Sequence, residues 1–471
     1  MSGYFSLGET KVRPGGYFNV AKRGDESSAG AVDGVVAVLF KSTFGPLGTA
    51  QKIDANEGYK HIYGDEITTD AIAQAIAGGA NTIIAVRVGS GGTVATCQLK
   101  LNSENNKKLT ISAKHVGARA FSVTVRTKLT DATKKELIIY HGTEIVETFE
   151  FDVNATDETA ACIEAINKSG NFTAETTDTG TVDLVAQQAF TAGTNPTAVA
   201  ADYSNALTQI EKFYFNTICC DSNDNAVHAL IAGFLDRIYA VGQFGIGVVA
   251  EPHTVSLDTR MSNAAAFNSE KMVYILNAYG ETASETVDGY QVACYTAGVI
   301  ASTSSGKSIT HTILSGIAEL LEPLTNSQMI TAEQRGCVCL SVNPNDQVWY
   351  DNAITTLITP DANQDSGWKK IRRVRTRFEL IYRCNSVADA LVGQIDNDVD
   401  GRAAIAGQLQ AVGNQMISEG KLNFLEVSES TRYVSNADYC YFDIDVIDKD
   451  SAEKIYLLYT FQYSTNVEEE A

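Results

Sequence analysis

The chain predicts an α/β protein: a doubly wound, largely parallel sheet carrying an inserted, mainly β, sandwich-like domain. An α+β C-terminal domain follows, and extended arms stand at both ends. Three observations carry this reading. Residues 34–40 and 82–88 are unbroken apolar runs, the pattern of strands covered on both faces. Strand-like and helix-like segments alternate across residues 213–342, which builds parallel sheets. Residues 93–197 instead show short strands separated by turn residues. The expected divisions are an arm at 1–24, the α/β domain at 25–92 and 199–345, the insertion at 93–198, and the C-terminal domain at 346–471.

The first arm carries Tyr4, Phe5 and Leu7, then Pro14-Gly15-Gly16, then Tyr17, Phe18 and Val20, too little to form a core of its own. After the strand at 34–40, Phe44-Gly45-Pro46-Leu47 predicts a turn. A helix over 70–76 and a strand over 82–88 then complete a βαβ-like unit. Within the insertion, strands are expected at 109–113, 121–126, 136–140, 145–151 and 182–186, with a helix over 157–167 capped by Thr156. Strands at 213–219, 246–249, 273–278 and 337–342 alternate with helices at 226–241, 263–267 and 290–300. A β pair over 348–357 and helices at 386–394 and 402–418 lead to the last strands.

Those last strands are expected side by side at 439–446 and 455–463. In the second, Ile455, Leu457, Tyr459, Phe461 and Tyr463 fall on one face. Regular alternation so near a chain end suggests strand addition between subunits. Ladder bonds at ~1 kcal/mol each roughly balance backbone ordering at ~1 kcal/mol or more per residue. Apolar burial, about 2 kcal/mol per large side chain, therefore decides. Pairing of each end within its own subunit is the open alternative.

Composition bounds the function. A net charge of −21 over 471 residues argues against a general nucleic-acid or anionic-membrane binder. No apolar run reaches the ~20 residues that span a bilayer, so no membrane insertion is expected. Residues 1–7 lack the positive start and apolar core of a signal peptide. Nine scattered cysteines predict reduced, buried thiols made in a cytoplasm. Neither these nor the six dispersed histidines (His61, His115, His141, His228, His253, His311) show zinc spacing, so no metal or cofactor is expected.

Against the acidic background, residues 366–384 hold Lys369, Lys370, Arg372, Arg373, Arg375, Arg377 and Arg383. Opposed only by Glu379, these seven cations leave +6, and the rest of the chain carries −27. Such a run reads as a docking surface for an acidic partner, with a solvated face as the bland alternative. Residues 301–308, Ala-Ser-Thr-Ser-Ser-Gly-Lys-Ser, approach a phosphate loop but have Ala301 where its first glycine belongs, and they follow a helix. Gly242, Gly245 and Gly247 precede a strand and read as a helix C-terminal cap. No nucleophile elbow is present, and no enzyme is expected.

Several stretches together resemble the contractile tail sheath family of bacteriophages and phage-tail-like particles of Gram-positive hosts. They are Arg13-Pro14-Gly15-Gly16-Tyr17, Gly34-Val35-Val36-Ala37 with Phe44-Gly45-Pro46-Leu47, Ala85-Val86-Arg87-Val88, and Gly117-Ala118-Arg119. Further on come Ala297-Gly298-Val299-Ile300-Ala301 with Ser308-Ile309-Thr310, Gly401-Arg402, and Val446-Ile447-Asp448 with Glu453-Lys454-Ile455-Tyr456. The resemblance implies a non-catalytic, subtilisin-like body and a structural subunit that stacks in hexameric rings. The rings surround an inner tail tube, with baseplate and tail-terminator proteins as further partners. It implies assembly in the bacterial host cytoplasm into a virion or phage-tail-like particle. The arms would knit neighbouring subunits, and Lys369, Lys370, Arg372, Arg373, Arg375 and Arg377 would face the tube. The rival readings are a self-assembling surface-layer or filament protein and an α/β hydrolase-like enzyme.

Overall fold

A computed structural model describes residues 33–64, 69–153, 157–282, 285–362 and 364–461, and the two short strands Gly3–Tyr4 and Tyr17–Phe18. Its body is built on a seven-stranded sheet. In chain order the strands are Val35–Phe40 (β1), Ala50–Asp54 (β2), Thr82–Arg87 (β3), Thr217–Cys220 (β4), Ile246–Ala250 (β5), Met272–Ile275 (β6) and Cys337–Val338 (β7). Across the sheet they run β7-β6-β5-β4-β1-β3-β2, every pair parallel except β3 with β2.

The apolar run of β1 shows why both faces are covered. Val36, Val38 and Phe40 enter one core, and Val35, Ala37 and Leu39 enter the other. Helices Asp70–Ala77 and Tyr290–Ser302 close the first core, while Ala200–Ile210, Asn225–Ala240 and Leu257–Phe267 close the second. The first pair pack closely at two glycines. A Cβ on Gly298 would meet the Ala75 carbonyl oxygen at 2.2 Å, and one on Gly78 the Tyr295 oxygen at 2.0 Å.

Some elements differ from expectation. Strand β2 and the helices Ala200–Ile210 and Asn326–Gln334 were not anticipated. The run at 337–342 divides, because side-chain amides intercept its backbone: Asn352 Oδ1 accepts from Cys339 N at 3.1 Å, and Asn277 Oδ1 from Leu340 N at 2.9 Å. Cys337–Val338 thus ends the large sheet, and Leu340–Val342 turns away to pair with Val348–Tyr350.

The insertion consists of two antiparallel sheets over one core. One is Glu144–Asp152, Lys134–His141, Ser122–Thr127 and Val185–Ala189; the other is Phe172–Glu175, Glu104–Val116 and Val94–Leu101. Phe121, Phe172 and Phe190 fill the space between them. Helix Glu158–Asn167 is capped by Asp157, whose carboxylate accepts from Ala160 N, in place of the expected Thr156, which lies outside the described residues. The two chain crossings into the insertion lie side by side: Ser90 and Thr197 exchange backbone hydrogen bonds at 2.9 and 3.0 Å.

The body also reaches into the core of the insertion. Arg87, fully buried at the end of β3, donates from Nη2 to the Ser42 carbonyl and from Nη1 to that of Gly45, each at 2.7 Å. Those bonds hold the expected turn, with Gly45 at φ +99°, so that Phe44 packs edge-on to Phe121 at 5.2 Å.

In the C-terminal region, helices Ile371–Leu391 and Val399–Ser418 pack with the antiparallel hairpin Leu422–Glu429 (β8) and Phe442–Asp448 (β9). Leu380, Cys384, Leu409, Met416 and Leu425 form its small core. The helix expected over 386–394 is the end of one that begins inside the basic run. The strand expected over 455–463 is not formed through Phe461, and its partner position beside β9 is taken by β8.

Candidate assembly interface

The basic run lies on helix Ile371–Leu391 and the turn before it. At ~100° per residue, its cations point in several directions and cannot form one stripe. Most point to acids of the same chain. Lys369 lies 3.7 Å from Glu333, and Arg377 lies 2.7 Å from Glu270 with its guanidinium stacked over the Trp368 ring. Arg383 binds Glu379, and also Glu419 at 2.9 Å, and Lys421 bridges the same two carboxylates at 2.7 and 2.8 Å. Burial alone would raise the Glu419 carboxyl, but hydrogen bonds from Arg383 and Lys421 outweigh it and hold the group at about 2.

Three contacts tie down the root of the C-terminal segment. Arg373 grips both oxygens of Asp448 at 2.6 and 3.0 Å, Lys370 reaches Asp450 at 2.8 Å and Glu453 at 3.0 Å, and Arg372 Nη1 donates to Ser451 Oγ at 2.8 Å. A fourth ties the start of the body. Arg375 pairs with Asp33 at 2.9 Å and also donates to the carbonyls of Thr303 and Ala301, at the C-terminal end of helix Tyr290–Ser302. A guanidinium there satisfies free helix carbonyls and the negative end of the helix dipole. Burial raises the Asp33 carboxyl, with Arg375 pulling the other way. One helix thus holds the chain just after the N-terminal arm and just before the C-terminal one.

This geometry bears on the six tube-facing candidates. A docking face for an acidic partner needs unpaired charge in solvent, and Lys369, Lys370, Arg373, Arg375 and Arg377 all meet carboxylates within the chain. Arg372 is the exception among them. Asp33 and Asp450 were not singled out from sequence, and Asp448 and Glu453 entered only within a family-like stretch, not as partners of the run. For the last three the signal was the acidic spacing of 448–453, complementary to the run at 369–373.

From Lys454 to Phe461 the chain stands off its own subunit. Ile455, Leu457, Tyr459 and Phe461 are 74, 69, 72 and 87 % exposed, and Tyr456 and Leu458 on the other side 89 and 95 %. Among the described residues, no hydrogen bond links 454–461 to the rest of the chain. Tyr463 lies outside the described residues. Of the N-terminal candidates, Tyr4, Tyr17 and Phe18 belong to two short strands paired in parallel, Gly3 opposite Tyr17 and Tyr4 opposite Phe18. Phe5, Leu7 and Val20 lie outside the described residues.

Hairpin β8–β9 is a two-stranded sheet with no third strand among the described residues; on its β8 side Gln410 Nε2 donates to Leu425 O at 2.8 Å and Gln410 Oε1 accepts from Val427 N at 3.0 Å, so the β9 side is the one without a partner strand. Phe424, Ile444, Val446 and Ile447 stay 37–57 % exposed on it.

The remaining motifs are structural in placement. At 301–308 the chain turns carbonyls toward Arg375, and the amides of Thr303 and Lys307 are spent on Val299 and Ser304, so no phosphate cradle forms. Gly242, at φ +82°, ends helix Asn225–Ala240. His228 is buried, donates from Nε2 to the Ser222 carbonyl oxygen at 2.8 Å, and has its basicity lowered by that burial. Among the described residues, no group of His, Cys, Asp and Glu could hold a metal ion.

Residues 90–195 match the phage tail sheath protein beta-sandwich domain, and residues 197–356 match the phage tail sheath protein central domain. The chain belongs to the contractile tail sheath family. Solved sheath structures share its fold. The sheath tail protein of Desulfitobacterium hafniense superposes with a TM-score of 0.70 at 19 % identity, covering 92 % of this chain and 100 % of that one. That of Listeria innocua gives 0.66 at 19 % identity, covering 89 % and 96 %. The contracted helical sheath of the anti-feeding prophage gives 0.54 at 10 % identity, covering 97 % and 100 %. No curated protein matches the chain by sequence. A parallel-rich α/β body with a β-sandwich domain is therefore the sheath architecture, and the chain is a structural sheath subunit of contractile systems.

Proposed function

We propose that this chain polymerises as stacked hexameric rings around an inner tail tube, bounded by baseplate and tail-terminator proteins. It assembles extended in the host cytoplasm, then shortens and widens on a baseplate trigger to drive the tube through a target envelope. The observation that carries this reading is the apolar row Ile455–Leu457–Tyr459–Phe461, strand-patterned, exposed, and fixed only at its root. Hairpin β8–β9 is the natural receiver, since two strands alone are marginal in water and among the described residues no strand lies along the outer side of β9.

Contraction requires rigid bodies to turn while staying linked. Ion pairs on one helix hold each arm's root, and the arm beyond stays extended, so rotation moves the subunit and leaves the ladder intact. Truncation after Asp450, or deletion of residues 1–20, is expected to leave a folded monomer that forms no sheath. Normal sheaths from either variant in the electron microscope would defeat the reading.

A further inference from the structure

We propose that the groove between residues 306–311 and the root of the C-terminal arm is a carboxylate seat, filled by the acidic tail of a second copy of this chain. The inference rests on the arm exchange proposed above and adds a docking point for the tip of the arm.

Arg372 is the starting point. It is 8 % exposed, yet among the described residues no carboxylate lies within ion-pair distance, while each of its basic neighbours has one. Among the described residues its one hydrogen bond runs from Nη1 to Ser451 Oγ, and its buried Nε has no partner there. A charge withdrawn from water and left unpaired is costly, and the cost falls when an anion arrives. The guanidinium lines a groove of about 610 Å³ with Lys307, Ser308, Thr310 and His311. Lys307 is exposed and has no ion-pair partner among the described residues. The Ser308 and Thr310 hydroxyls share one hydrogen bond at 2.9 Å, and Ser308 Oγ also accepts from Thr310 N at 3.2 Å, which leaves one O–H of the pair to donate into the groove. His311 is held flat against Trp349 with ring centroids 3.9 Å apart. Glu453 also borders the groove, but its carboxylate is engaged by Lys370.

Two cations and one free hydroxyl donor, with no unpaired acid, fit a carboxylate, which a guanidinium binds through two parallel hydrogen bonds. The spent amides of the loop argue against a phosphate held by backbone.

The chain supplies such a group at Glu468, Glu469 and Glu470. Ile455 lies at the groove itself, and the arm leaves it fully in solvent, away from its own subunit. The fifteen residues from there to Glu470 span about 50 Å when extended, enough to cross a neighbour. Each arm tip would then dock beside the root of the next subunit's arm, making the contacts directional along the polymer.

The test uses a labelled synthetic peptide of residues 462–471 and the full-length protein held below its polymerising concentration. Saturable binding is expected, at least tenfold weaker for Arg372→Gln, for Lys307→Gln, and for a peptide with all three glutamates changed to glutamine, and weakened by 0.5 M NaCl. The exposed Lys307 and the altered peptide keep the test valid if Arg372→Gln fails to fold. Equal binding by the glutamine peptide, no binding at all, or inorganic phosphate bound in preference to the peptide would each overturn the seat. A chain ending at Asn466 separates the two proposals. If it forms sheaths as stable as the full chain, the seat fails and arm exchange survives; if truncation after Asp450 also polymerises normally, arm exchange fails too.

Discussion

Changing Leu457 and Phe461 to serine together probes the arm with the fewest side effects. Both side chains are exposed in the single subunit, at 69 and 87 %, so they contribute almost nothing to its stability. If the arm is buried on a neighbour, each returns about 2 kcal/mol, while ladder bonds and backbone ordering roughly cancel. Removing both costs about 4 kcal/mol per exchanged arm, close to a thousandfold in the association constant. The concentration needed for polymerisation, measured by sedimentation and negative-stain imaging, should rise by about that factor. The denaturation midpoint of the monomer should not move. A polymerisation threshold within twofold of the unaltered chain would refute the argument that apolar burial drives the exchange.

Three further outcomes follow from the subunit interior. Arg373→Ala removes the grip on Asp448, where charge-assisted bonds are worth ~1.5–3 kcal/mol, and should speed tryptic cleavage at Lys449 and Lys454; unchanged cleavage would mean the root is held by something else. The Glu419 carboxyl sits at about 2 against an ordinary 4.5. Its contribution to stability is therefore complete above pH 4.5 and lost as pH falls toward 2, and Glu419→Gln should flatten that part of the profile in a pH series of denaturation midpoints. Gly298→Ala places a Cβ 2.2 Å from a backbone oxygen and should destabilise the body by ~1–3 kcal/mol in urea, a result that an unshifted midpoint would contradict.

The body was the legible part of the sequence. Its buried strands announce themselves, because β1 and β3 must be apolar on both faces and so read as unbroken runs. Strand β2 escaped notice, since an edge strand reading Ala-Gln-Lys-Ile-Asp is covered on one side only. The split at residues 337–342 depends on Asn277 and Asn352, whose interception of the backbone no local pattern reveals. The basic run was conspicuous as composition, but its role was not. Charge excess in a sequence window cannot tell an exposed patch from one neutralised by Asp33 and Glu270, which lie some 340 and 110 residues away from Arg375 and Arg377. The terminal row keeps its period-2 pattern, but through Phe461 it forms no strand in the single chain, where β8 takes the position beside β9.

The paired crossing at Ser90 and Thr197 makes the insertion a cassette. Because both connections leave the body at one spot, a short turn could bridge them, and decorations of other sizes could be grafted there without rethreading the central sheet. Phe44 would then be a residue to repair, since its pocket is built by Phe121 and Phe172 of the insertion.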